Sequence, residues 1–112
     1  MQQIVLDVIP HKVSPYCYVL QGSSGETIEI NLVYGDETYS LDGTEQLSLE
    51  MRRRDGRILK YSLNNSVGSK IFFSTDTNMT PMVGLNVCNI TIKKTNTEIS
   101  TLNFIMAVEY EF

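Results

Sequence analysis

The chain has no tryptophan and a single histidine, His11, which lies beside Pro10 and Lys12 in a stretch without strand or helix period. A metal shared between imidazoles and a nucleophile activated by a histidine base therefore lack their usual residues. Basic residues are also scarce. Nine Lys and Arg against 13 Asp and Glu leave a net charge of −4, with an isoelectric point near 4.8. Nucleic-acid binding is driven largely by basic surface displacing counterions, so no nucleic-acid partner is expected. No apolar run approaches the ~20 residues of a membrane-spanning helix, and the start MQQIVLDVIPHKV is not a basic segment followed by an apolar one. A protein made and kept soluble in a cytoplasm, at least initially, is expected. Cys17 and Cys88 are far apart, and without a leader they are expected to be buried, reduced thiols. No ten-residue window keeps a 3.6 period, so little helix is expected.

What is present is alternation. At 112 residues and 42% hydrophobic, the chain suffices for one domain with one core, over residues 1–112, of which 1–15 form an arm or edge strand ended by Pro10. Tyr16 to Gln21 is a β-branched and aromatic run before the turn Gly22-Ser23-Ser24-Gly25. In Glu26 to Tyr34, Ile28, Ile30 and Leu32 share one side, and a polar connection follows. Next comes a hairpin whose register can be derived. Leu47, Leu49 and Met51 on one arm and Leu59, Tyr61 and Leu63 on the other are all odd-numbered. A two-residue Asp55-Gly56 loop would put the two sets on opposite faces. A three-residue Arg54-Asp55-Gly56 loop instead pairs Met51 with Leu59, Leu49 with Tyr61 and Leu47 with Leu63, sets Glu50 opposite Lys60, and gives Gly56 the left-handed position.

Ile71-Phe72-Phe73 reads as a short strand, and STDTNMTPM as a loop with room for one helical turn. The last hairpin joins Gly84–Lys93 to Glu98–Phe112 through Lys94-Thr95-Asn96. Its even positions Cys88, Ile90, Ile92, Leu102, Phe104, Met106 and Val108 form a core face. Its odd positions Leu85, Val87, Ile99, Ile105 and Ala107 are apolar too. Such a strand is either covered by more of the chain, the N-terminal segment being the available cover, or presented to a partner. The expected core is Ile28, Ile30, Leu32, Leu47, Leu49, Met51, Leu59, Tyr61, Ile90, Ile92, Leu102, Phe104, Met106 and Val108.

Residues for chemistry are sparse. Asp and Glu alternate along outward positions without defining an acid–base pair, and Asp36, Asp42 and Asp76 lack the dense spacing of a calcium loop. Gly22-Ser23-Ser24-Gly25 has no following Lys-Thr, so it reads as a turn and not a phosphate cradle. No catalytic residue, metal ligand or cofactor is assigned, and an enzyme is not expected. Arg52, Arg53, Arg54 and Arg57 are the one concentrated basic feature. They form either a solvated hairpin tip softened by Asp55 or a docking contact to an acidic partner surface. The six tyrosines give only a weak sugar-platform signal.

The strings Gln21-Gly22, Glu26-Thr27-Ile28-Glu29-Ile30-Asn31-Leu32, Tyr39-Ser40-Leu41-Asp42-Gly43-Thr44, Leu47-Ser48-Leu49-Glu50-Met51-Arg52-Arg53 and Asp55-Gly56-Arg57, then Gly84 before two strands, are similar to the N-terminal domain of the upper baseplate protein of siphophages infecting Gram-positive bacteria. In order, they cover most of Tyr16 to Glu109. The resemblance implies an immunoglobulin-like β-sandwich, of about eight mostly antiparallel strands, that attaches receptor-binding arms to the distal tail hub and has no catalytic activity. It places the chain in the virion tail or baseplate. In that family a linker and a receptor-binding-protein carrier follow this domain, so the chain is expected to be either an N-terminal piece or a small stand-alone tail protein. The candidate protein-binding residues are Arg52, Arg53, Arg54, Arg57, Leu85, Val87, Ile99 and Ile105. Expected partners are other tail proteins, with self-association and a carbohydrate-binding module for host-surface glycans as the alternatives.

Overall fold

Alternation decides the architecture. The computed structural model describes residues 2–9, 14–94 and 97–110, with side chains for all of these but 97–100. His11, Pro10, Thr95 and Asn96 lie outside the described residues. The strands are β1 (Gln2–Asp7), β2 (Tyr16–Leu20), β3 (Thr27–Tyr34), β4 (Glu37–Thr38), β5 (Gln46–Arg52), β6 (Ile58–Leu63), β7 (Ser66–Val67), β8 (Lys70–Ser74), β9 (Gly84–Lys94) and β10 (Thr97–Glu109). The described residues contain no helix. Two sheets of five strands form a sandwich: β1-β3-β8-β7 with β4 beside β3, and β2-β10-β9-β5-β6.

The two N-terminal strands are divided between the sheets, and each pairs in parallel, β1 with β3 and β2 with β10. The other pairings are antiparallel. Sequence alternation does not reveal parallel pairing, because both senses have period two. Gln2 ties the halves across the sandwich: its Oε1 accepts from the Tyr18 N–H at 2.8 Å, and its Nε2 donates to the Tyr18 carbonyl and, at 2.9 Å, to Glu26 Oε1.

The β5–β6 register is the one the parity of its apolar residues demands, with Leu47↔Leu63, Leu49↔Tyr61, Glu50↔Lys60 and Met51↔Leu59. Gly56 sits at φ +87°, and its N–H donates to the Arg53 carbonyl at 2.9 Å. The β9–β10 hairpin departs from the expected loop. Lys94 pairs with Thr97, so it belongs to the ladder, and an irregularity between Glu98 and Ser100 brings Leu102 opposite Ile90 and Phe104 opposite Cys88. The extra residue restores the parity that a shorter connection would have broken. The segment after β8 has one hydrogen-bonded turn, Met79 N–H to the Asp76 carbonyl at 3.1 Å, and no helix.

The core lies between the sheets. Ile28, Ile30, Met51, Cys88, Ile90, Ile92, Phe104 and Met106 are fully buried, with the Phe73 and Phe104 rings 6.1 Å apart. Leu59 and Tyr61, expected in the core, are only half-buried because β6 is an edge strand. Ile4, Leu6, Val19, Ile71 and Met79 join the core. Cys17 and Cys88 are free, buried thiols. Burial pushes the Cys17 pKa up to about 12, with a smaller push from the Glu26 carboxylate, and burial raises that of Cys88 further.

Candidate docking face

The outward side of the β2-β10-β9-β5-β6 sheet changes character along its strands. In one row across the sheet, Tyr16, Ile105, Val87, Arg52 and Ile58 are successive neighbours. The next row holds Tyr18, Ala107 and Leu85, and beyond it Leu20 lies beside Glu109. In the other direction the rows turn polar: Asn103, Asn89, Glu50 and Lys60, then Thr101, Thr91, Ser48 and Ser62. One half of the face is thus apolar and the other is a solvated sheet surface.

The apolar half is open. Tyr18 is 54% exposed, Leu85 52% and Val87 45%, with Tyr16, Leu20 and Ile58 close to these values. Ile105 is half-buried and Ala107 is buried between its neighbours. The Tyr16 and Tyr18 rings stack at 6.1 Å and 21°. Among the described residues the N-terminal segment does not cover this face: β1 joins the facing sheet beside β3, and the next strand, β2, enters this sheet beside β10, where Tyr16, Tyr18 and Leu20 widen the patch. Contiguous exposed apolar surface of this kind marks interaction sites in soluble proteins.

The four arginines have four different settings. Arg52 is exposed on the outer face, directly beside Val87, so the hairpin end and the β9–β10 patch form one surface. Arg57 is exposed at the start of the second arm. Arg53 faces the other way: its guanidinium donates to Asp55 Oδ1 at 3.1 Å, to Asp55 Oδ2 at 2.5 Å and to the Asn78 carbonyl at 3.0 Å, with its side chain 11% exposed. This bidentate pair holds the Asp55 carboxyl well below its usual range, at about 2, and raises the Arg53 pKa. The like charges of Arg53 and Arg57 are therefore buffered by Asp55, which also accepts from the Arg57 N–H at 3.2 Å. Arg54 packs its stem against Gly84 and donates through Nη1 to the Val83 carbonyl at 2.8 Å. Arg53 is thus a structural clamp, and Arg54 is partly committed to the loop before β9.

Of the candidate residues, Arg52, Leu85, Val87 and Ile105 share the face, and Arg57 stands at its rim. The side chain of Ile99 lies outside the described residues. Sequence reading missed Tyr16, Tyr18, Leu20 and Ile58. A signal existed: in Tyr16 to Leu20 the outward positions are as apolar as Cys17 and Val19 between them, the same two-faced pattern that singled out β10.

A buried support holds the hairpin end in place. Asn86, 2% exposed, donates through Nδ2 to the Met79 carbonyl at 2.7 Å, and its Oδ1 accepts from the Arg54 N–H at 3.3 Å. On the other sheet Glu29 is buried, bonded by Asn31 Nδ2 at 3.1 Å and 3.7 Å from Lys70 Nζ. Among the described residues, no three His, Cys, Asp or Glu side chains cluster as metal ligands.

The whole fold has a counterpart among solved structures. It is similar to the N-terminal domain of phage TP901-1 ORF48, with a TM-score of 0.72 and 15% identity over 97% of this chain and 99% of that chain. No sequence-family model matches the chain, and neither does any curated protein.

Proposed function

We propose that this chain is a single-domain structural module of a bacteriophage tail or baseplate, resident in the virion, that joins receptor-binding machinery to the distal tail by protein–protein contacts. The observation that carries this reading is the open apolar half-face of the β2-β10-β9-β5-β6 sheet with Arg52 and Arg57 at its margin. A solvated sheet surface has no need of Tyr16, Tyr18, Leu85 and Val87 side by side, whereas an interface centre does. The fold's likeness to a phage protein domain and the sequence's resemblance to the upper baseplate family support the same reading. The immunoglobulin-like topology that the resemblance implies belongs to this proposal. In this role the protein does no chemistry.

Arginine at the rim suits such a contact, because its planar fork pairs with carboxylates while its stem lies along apolar surface. Co-purification with the distal tail-hub protein of the same phage tests the reading. A complex that survives gel filtration is expected, and one weakened by Arg52→Glu together with Val87→Asp. No complex, or one indifferent to both substitutions, contradicts it. The alternative is a module for host-surface glycans, and the exposed, stacked Tyr16–Tyr18 pair is the observation in its favour. Saturable binding on a glycan array, abolished by Tyr16→Ala and Tyr18→Ala, would decide for it.

A further inference from the structure

A second site lies at the free edge of the same sheet, where β6 borders the outer face. We propose that the free edge of β6 accepts an extended acidic peptide as an added strand, with one apolar side chain of that peptide seated in the groove between β6 and β8.

Three observations converge. The first is the edge itself. β6 is a regular six-residue strand paired on one side only, and its far side has no strand partner among the described residues. The edge of β2 at the other end of the same sheet is differently treated, because Gln2 offers its amide oxygen and nitrogen to the N–H and carbonyl of Tyr18, as a neighbouring strand would. Among the described residues nothing comparable is bonded to β6, which contains no proline or bulge; its one charged residue is Lys60.

The second is the groove. In the facing sheet the outermost strand β7 has only two residues and pairs with Lys70 and Ile71, so among the described residues no strand extends that sheet beside Phe73 and Ser74. The inner side of β6 is left overhanging, and Leu59 and Tyr61 are half-buried where their neighbours Leu49 and Met51 in β5 are fully covered. The resulting groove has a volume of about 230 Å³ and is lined by Leu49, Tyr61, Leu63, Phe72, Phe73 and Met79 among others. That is below the ~300–1,000 Å³ typical of small-molecule sites and suits a single large side chain. An extended peptide on β6 alternates its side chains between the groove and solvent, which is how strand addition combines main-chain affinity with pocket specificity.

The third is charge. The outward positions of β6 are Ile58, Lys60 and Ser62, with Arg57 just before them. A second copy pairing edge to edge would bring like charges together, whereas a peptide with Glu or Asp at its outward positions meets opposite ones. The occupant is therefore a peptide that alternates acidic and apolar residues.

The test uses three synthetic probes against the intact chain: the capped peptide Glu-Leu-Glu-Phe-Glu-Leu-Glu, its analogue with proline in place of both leucines, and its analogue with lysine in place of every glutamate. Binding is followed by NMR amide shifts and amide exchange. The acidic peptide is expected to saturate with slowed exchange confined to β6, while the proline and lysine analogues bind at least 10-fold more weakly. Ser74→Trp, which fills the groove from an exposed position, is expected to remove binding without lowering the melting temperature. If Ser74→Trp proves unstable, Ser62→Pro on the edge serves as the second variant. No saturation by the acidic peptide at millimolar concentration, equal binding of the proline analogue, or protection located elsewhere overturns the proposal. So does a peptide-free dimer in sedimentation that Ser74→Trp dissociates, since that gives the groove to a second copy. Because tail-hub binding is read separately, the site can fail while the docking face stands.

Discussion

Gly56 and Asp55 show how few atoms set the hairpin end. Gly56 occupies φ +87° with nothing within 4 Å of an added Cβ, so the cost of a side chain there is backbone strain alone. Gly56→Val is expected to cost about 1–3 kcal/mol, read as a lower urea midpoint; an unchanged midpoint would count against this loop. Asp55 carries a pH signature. Its carboxyl titrates at about 2 in the folded chain, largely because of the Arg53 guanidinium, against ~3.9 when unfolded. A depressed carboxylate contributes stability above its unfolded pKa and loses it as pH falls towards the folded value. The stability gap between the wild-type chain and Asp55→Asn is therefore expected to be constant above about pH 5 and to narrow between about pH 4 and pH 2. Urea midpoints at pH 7, 4 and 2.5 check it, and a gap that persists to pH 2.5 would show that the ion pair is not the source.

At the scale of elements, the loop between β8 and β9 is held by polar groups. Met79 and Thr80 are buried, and the Asn86 amide joins the Met79 carbonyl to the Arg54 N–H. Asn86→Leu leaves the buried Met79 carbonyl and the part-buried Arg54 N–H without these partners and is expected to cost about 1–3 kcal/mol in chemical denaturation. It is also expected to speed amide exchange at Arg54; a neutral effect on both would mean the loop is held by packing alone. Neither bond could be read from the sequence, since Asn86 lies 32 residues from Arg54. The β5–β6 hairpin was legible in full because its partners are a few residues apart and parity admits one register. The core residues of β3, β5, β9 and β10 were legible for the same reason. The parallel docking of β1 on β3 and β2 on β10 was not, because alternation does not encode which strand a neighbour is, or its sense. The loop expected at Lys94-Thr95-Asn96 failed on a residue inserted in the ladder near Ser100, which composition does not signal.

Over the whole molecule, the candidate site was half legible. Two-faced apolar patterning located Leu85, Val87 and Ile105, and the arginine cluster located the rim, but sequence could not tell Arg52, free beside Val87, from Arg53, clamped to Asp55 and Asn78. The sandwich separates these roles by parity: odd Arg53 follows the inward set of β5, and even Arg52 the outward one. The same sheet face then supplies its own control, since Glu50 and Lys60 occupy its polar half. The most direct test is the affinity of the chain for the tail-hub protein, measured by titration calorimetry for the wild type, Val87→Asp with Arg52→Glu, and Glu50→Lys with Lys60→Glu. The account predicts that the first pair weakens binding by about 30-fold or more, the ~2 kcal/mol of an interface hot spot, while the second pair leaves it within about 2-fold. Equal loss in both pairs, or none in the first, would contradict it.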